Sequence, residues 1–260
     1  GMWYNFRVWQ AVPAFFMMSL EGSTLTNIAQ DVSPRRIAIA IDGPAGAGKS
    51  TVARMVAERF GYVYIDTGAM YRAVALAALR SGVGPGDANE LGRLVEGLDI
   101  RLEPGRSAQR VLLNGEDVTE EIRSREVTSA VPAYAAVPAV RARLVELQRA
   151  MARTGGVVMD GRDIGTHVLP DAELKIFLTA SVRERARRRY EESGRAQGIT
   201  LEMLEAEIAE RDRQDASREI APLVKAEDAI VLDTTNLTAE EAAERVAMLA
   251  DKAAAEAGRS

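Results

Sequence analysis

Gly43-Pro44-Ala45-Gly46-Ala47-Gly48-Lys49-Ser50-Thr51 decides the fold. It matches the pattern G-x-x-x-x-G-K-[ST] and follows the apolar run Ile37-Ala38-Ile39-Ala40-Ile41, so a buried strand ends in a glycine-rich loop that opens a helix. Such a loop aims successive backbone N–H groups, and the positive end of the helix, at a polyphosphate. The glycines let the main chain approach the ligand, Lys49 supplies a point charge to the β- and γ-phosphates, and Ser50 offers a hydroxyl to Mg²⁺. All nine residues, Gly43 to Thr51, are therefore candidates for binding a nucleotide. A glycine-rich turn that binds nothing is the bland alternative, and the strand-before, helix-after context speaks against it.

Lys49 to Phe60 reads as a helix, with Val52, Met55, Val56 and Phe60 near 3.6-residue spacing and Gly61 as its C-terminal cap. Tyr62-Val63-Tyr64-Ile65 is a short strand leading into Asp66-Thr67-Gly68, where the chain turns before the helical run Ala69 to Leu79. Val157-Val158-Met159-Asp160, Leu174-Lys175-Ile176-Phe177-Leu178 and Ala229-Ile230-Val231-Leu232-Asp233 are later strands, each short and apolar. The alternation predicts an α/β chain of the P-loop NTPase fold, a mainly parallel sheet with helices on both faces. Between about 99 and 134 the pattern changes: Ile100-Arg101-Leu102 and Val111-Leu112-Leu113 are β-like, and Asn114-Gly115 signals a hairpin. A small antiparallel insert is expected there, between the second and third core strands, with a helix from about Ala139 to Arg153 after it. Fold logic alone lets that insert be either a cover for a second substrate or a stability appendage.

A chain of 260 residues, 47% hydrophobic and 27% charged, can bury a full core, and is read as one domain over 36–260. Its net charge of −5 argues against a dedicated nucleic-acid or anionic-membrane binder. With no cysteine there is no disulfide, thiol nucleophile or thiolate zinc site, and a cytoplasmic location is expected. The one histidine, His167, cannot build a His-based metal cluster. Residues 1–35 read as an N-terminal extension, flexible or from a start placed too far upstream, and their apolar run Ala11 to Met18 is far short of a bilayer span.

Two stretches concentrate cations. Arg183-Glu184-Arg185-Ala186-Arg187-Arg188-Arg189-Tyr190 follows a core strand, and a solvated helix face is the default for such a run. Beside a phosphate loop, a helical lid over about 182–200 carrying mobile arginines is the better reading, with Arg185 and Arg189 on one face and Arg188 beside them. The second stretch, Glu210 to Arg218, puts Arg211, Asp215 and Arg218 at i, i+4 and i+7, which is a surface salt-bridge ladder or a polar rail for a sugar and a phosphate; spacing alone favours the ladder. Asp160-Gly161-Arg162-Asp163 ends a predicted strand on the phosphate-loop edge of the sheet, where Asp160 can help hold Mg²⁺ and Arg162 and Asp163 enter the cleft. A structural turn is the alternative there.

Together these residues resemble the bacterial-type cytidylate kinase family of nucleoside monophosphate kinases. The resemblance runs from about Arg36 to the C-terminus, on Ile41 to Thr51, Asp66-Thr67-Gly68-Ala69-Met70-Tyr71-Arg72, Gly161-Arg162-Asp163-Ile164-Gly165-Thr166, Lys175-Ile176-Phe177-Leu178 and Glu210-Arg211-Asp212 through Pro222-Leu223. It implies transfer of the γ-phosphoryl group of ATP to CMP or dCMP, with Mg²⁺ as cofactor; a monomer is expected, and the acidic balance speaks against a nucleic-acid or membrane partner. It further implies that Thr67, Arg72 and Arg162 line the monophosphate site, that Arg141 and Asp163 read cytosine, and that Arg211, Asp215 and Arg218 serve the sugar and phosphate, which displaces the ladder reading. Lys49, Arg162, Arg188 and Arg189 would carry the transfer, and Ser50 and Asp160 the metal. Where the family often has a base-contacting serine, this chain has Pro132, with Ser129 nearby. Proline has neither hydroxyl nor N–H to donate, which puts that contact, and the strictness of cytosine selection, in question. Competing readings are a P-loop kinase for UMP, AMP or a metabolite, and a non-catalytic ATP-binding module; a GTPase lacks support because no N-K-x-D motif is present.

Overall fold

A computed structural model describes residues 35–105, 109–194 and 198–259. The expectation for residues 1–34 lies outside them, as do 106–108 of the insert and 195–197 of the lid. Five parallel strands form the core sheet: β1 (Ala38–Asp42), β2 (Val63–Asp66), β6 (Val157–Gly161), β7 (Leu174–Thr179) and β8 (Ile230–Asp233), in the spatial order β2-β6-β1-β7-β8. β1 lies in the middle, paired through Ile41↔Asp160 on one side and Ile41↔Ile176 on the other. The chain departs from β1 toward opposite sides of the sheet, and the crevice at such a switch point is where open α/β sheets take ligands.

Side chains alternate across the buried strands. Ala40, Val157 and Met159 face one hydrophobic layer, while Ile39, Ile41 and Val158 face the other. The second layer is closed by α1 (Lys49–Phe60) and α8 (Ala239–Ala257), whose Ala242, Val246, Ala247 and Ala250 form a small-residue face that lets α8 pack closely. The first is closed by α2 (Thr67–Ser81), α3 (Ala88–Glu96), α4 (Arg125–Ala135) and α5 (Pro138–Ala152).

Several boundaries follow from caps. α2 begins at Thr67 rather than Ala69, because the Asp66 carboxylate accepts the Ala69 N–H at 2.8 Å and closes the first turn. The insert is antiparallel as expected, with β3 (Ile100–Glu103), β4 (Arg110–Leu113) and β5 (Glu116–Asp117) in that order, but it ends early. Ser124 caps Val127 N–H and the chain turns helical as α4, so the 99–134 stretch is sheet followed by helix. The stretch expected to be a lid, about 182–200, begins as α6 (Val182–Arg189), capped by Ser181, continues in a π-type turn Tyr190–Gly194, and is followed by α7 (Leu201–Ala216). α6 and α7 share a small core of their own in Ala186, Ile199, Leu204 and Ile208. Among the described residues no helix is long and apolar enough to cross a membrane.

Candidate active site

The loop after β1 is shaped by glycines. A Cβ on Gly43 would lie 1.9 Å from the Leu178 carbonyl oxygen of β7, and Gly48, which caps α1, holds φ at 90°. Only glycine fits the first place, and the second is a left-handed position that an L side chain resists. The turn is braced from the lid side by Arg185. Its guanidinium donates to the Ala45 carbonyl at 3.0 Å and to both Asp212 oxygens at 3.0 and 2.6 Å. Arg185 is therefore a buried strut between the loop and α7, and does not reach outward beside Arg189 as helical spacing suggests.

Lys49 is almost fully buried, and its ammonium donates to the Pro44 carbonyl at 2.7 Å. Burial, and then the Arg162 cation, push its pKa well below the ordinary lysine range, with Asp160, Asp42 and Asp215 opposing. Asp160, at the end of β6, is pushed up, first by burial and then by Asp66. Its two oxygens accept from Ser50 Oγ and Tyr64 Oη, each at 3.0 Å, and the Thr67 hydroxyl donates to its carbonyl at 2.7 Å. Ser50 and Asp160 thus meet, as the resemblance requires of the metal pair. Among the described residues no group of three His, Cys, Asp or Glu comes together to hold a metal. The donors available here are a hydroxyl and a carboxylate, hard oxygens that suit Mg²⁺ completed by phosphate and water.

On the far side of Asp160 the predicted acceptor residues converge. Arg141 on α5 and Asp163 form a buried ion pair, and the Arg141 guanidinium lies over the Tyr71 ring, 5.5 Å from its centroid. Asp215 accepts from Arg162 Nε at 2.8 Å and from Arg218 at 2.7 Å. Burial opposes its ionisation, but Arg162, Arg218 and Arg211 outweigh it and hold the carboxyl below the usual range. Arg211 is lowered to about 10, by burial first and then by Arg162, with Arg189 and Arg72 adding to it. Arg189 therefore belongs to this cationic group. Arg72 reaches back to Asp66 at 3.2 Å. Tyr71 Oη and the Nε atoms of Arg72, Arg141, Arg211 and Arg218 are buried without a hydrogen-bond partner. Arg72, Arg141, Arg162, Arg211 and Arg218 thus gather around Asp163 and Asp215, a concentration of cations that suits an anionic ligand.

Arg188 stands on the other side, held by Glu184 at 2.9 Å and by the Thr234 carbonyl at 2.6 Å. It lines a cavity of about 580 Å³ with Gly48, Thr51, Glu184, Thr234 and Asn236. Sequence reasoning missed Thr234 and Asn236, although their position just after a parallel strand was a signal, since the strand ends form the ligand edge. It also missed Asp42, whose buried carboxylate accepts the Ile164 and Gly165 N–H groups at 2.8 and 2.7 Å and so fixes the loop carrying Arg162 and Asp163. Burial raises its pKa to about 6, against the pull of those two bonds.

A sequence model of the family described as cytidylate kinase matches residues 39–252. The chain is 59% identical over 213 residues to a cytidylate kinase of Geobacillus kaustophilus (strain HTA426), covering 82% of this chain and 95% of that protein. It is 52% identical over 217 residues to the cytidylate kinase of Limosilactobacillus reuteri (strain DSM 20016), and 52% identical over 213 residues to that of Bacillus subtilis (strain 168), with the same coverage in both cases.

Proposed function

The chain belongs to the cytidylate kinase family, and from that premise we propose that it transfers the γ-phosphoryl group of ATP to a phosphate oxygen of CMP or dCMP. The products are ADP and CDP or dCDP. The observation that carries the acceptor half is the gathering of Arg72, Arg141, Arg162, Arg211 and Arg218 around Asp163 and Asp215. A nucleoside monophosphate brings phosphate, sugar and base acceptors to such a cleft in one molecule.

The donor's polyphosphate lies in the Gly43–Thr51 loop, and the cavity beside Arg188 and Asn236 takes its sugar and base. Ser50 and Asp160 would hold Mg²⁺, which when bound neutralises phosphate charge. The acceptor phosphate is largely dianionic near neutral pH, its second pKa being about 6, so no general base is needed. Its oxygen bonds to the γ-phosphorus in line as the bridge to the β-phosphate breaks, and the work of the protein is positioning and charge stabilisation. Lys49 approaches the donor phosphates, Arg162 and Arg72 orient the acceptor phosphate with Thr67, and Arg188 and Arg189 arrive with the lid as charge spreads over the transferred group. Phosphate binding works against the depressed Lys49 pKa by placing anions beside it, so the ammonium is stabilised where it is needed. Arg141 and Asp163 read the base; Arg211, Asp215 and Arg218 hold the sugar side. The protein acts as a monomer in the cytoplasm.

Calorimetric titration of Asp163→Ala tests the acceptor assignment. CMP binding should weaken at least tenfold while ATP·Mg²⁺ binding stays within about twofold, as expected when one charged hydrogen-bonding partner is lost. Equal losses for both nucleotides would count against base reading by Asp163.

A further inference from the structure

Pro132 sits inside α4, where a proline cannot donate the i→i−4 hydrogen bond. The carbonyl deprived of that bond is Thr128's, four residues earlier. This carbonyl accepts instead from Arg211 NH1 on α7, at 3.0 Å. Arg211 is a half-buried guanidinium among like charges, with its pKa lowered to about 10 and its Nε buried without a partner, so a neutral acceptor that fixes it without neutralising it has a clear use. Pro132 meanwhile lines a cavity of about 370 Å³ with Ser129, Gln214 and Arg218, the last of which also bonds Asp215.

We propose that Pro132 is a positioning residue: by withholding its N–H it leaves the Thr128 carbonyl to anchor Arg211, which fixes that guanidinium for the acceptor nucleotide. The proposal rests on the reading of this cleft as the acceptor site. Its logic is that a helix gives up one internal bond, and some stability, to present a backbone acceptor sideways. Losing the serine hydroxyl that the family often has at this place is thereby offset by a better-held arginine on the facing helix. An N–H at position 132 would draw the Thr128 carbonyl back into the helix and compete with Arg211 for it.

Pro132→Ala restores the N–H and should raise Tm, since alanine is far better than proline inside a helix. At the same time KM for CMP should rise about tenfold, the scale of one hydrogen bond to a charged group, with kcat and KM for ATP within about twofold. A purely structural proline predicts the opposite pairing, in which a firmer helix leaves KM unchanged or lowers it. The route through Arg211 is tested by the double-mutant cycle: in an Arg211→Gln background, Pro132→Ala should leave KM for CMP unchanged. Should Pro132→Ala aggregate, Pro132→Gly restores the same N–H without adding a hydroxyl and must give the same KM rise. An unchanged KM for CMP in the stable variant, or an equal rise in both backgrounds, overturns the proposal while leaving the functional reading in place. A parent protein that does not use CMP at all overturns both.

Discussion

Lys49 shows how far burial and charge are set against one another at single residues of this site. It is enclosed beside Asp160, with Arg162 adding to the burial penalty, so its ammonium is shielded from solvent. Lys49→Ala should lower turnover by about 10² or more if phosphate charge stabilisation is its role, with Tm near that of the parent; near-normal turnover would remove Lys49 from the mechanism. Asp42 makes a different kind of test. Its folded pKa, about 6, lies above the ordinary 3.8, so the folded chain holds a proton that the unfolded chain releases between those values. The stability this contributes is fully present below pH 4 and is lost as pH rises through 6. At about 1.4 kcal/mol per pH unit, the stability of Asp42→Asn should therefore gain about 2 kcal/mol on the parent between pH 4 and 6.5. Denaturation curves at both pH values measure it, and a difference that does not change with pH would contradict the assignment. The letters of the sequence expose Lys49 and Ser50, because their roles are fixed by spacing within one loop. Asp42, Thr234 and the Arg185 to Asp212 strut were hidden because each acts across a long sequence separation, between strands and helices that only the fold brings together.

At the scale of elements, the core strands and the helix after the phosphate loop were legible, since continuous apolar runs and 3.6-residue spacing are local signals. α3 and α4 were not. α3 is short, with only Leu91 and Val95 fully buried, and α4 starts directly after the hairpin with a proline inside it, which breaks the pattern that sequence reading relies on. The insert is tied to the core by Gln109, whose amide donates to the Tyr64 carbonyl at 2.6 Å and accepts the Asp66 N–H at 3.0 Å. That bond pair holds the insert against the strand whose end carries Asp66, Thr67 and, one turn on, Arg72. Gln109→Ala should raise KM for CMP by about threefold to tenfold, the range for one or two neutral hydrogen bonds, and leave KM for ATP unchanged. Equal shifts in both constants would make Gln109 a general stabiliser and not a link between insert and acceptor cleft.

For the molecule as a whole, β1 separates the two regions proposed to take ligands: the cavity beside Arg188 and Thr234 on one side, and the cationic cleft around Asp215 on the other. The lid arginines divide between them, Arg188 toward the first and Arg189 among the cations around Arg211, a division that helical spacing does not reveal. The family match begins at residue 39, beside the first residues of β1. Deleting residues 1–30 should therefore leave kcat and both KM values within about twofold, on the expectation that changes away from packed or reacting groups cost little; a large loss of turnover would give that segment a part in catalysis. The choice of acceptor is the property that most directly distinguishes a cytidylate kinase from other P-loop kinases. Coupled ADP release with ATP·Mg²⁺ against CMP, dCMP, UMP, AMP and GMP, with a no-acceptor control, measures it. Strong turnover with CMP and dCMP alone is the predicted result, whereas preference for AMP or GMP, or no acceptor-dependent turnover, would contradict it.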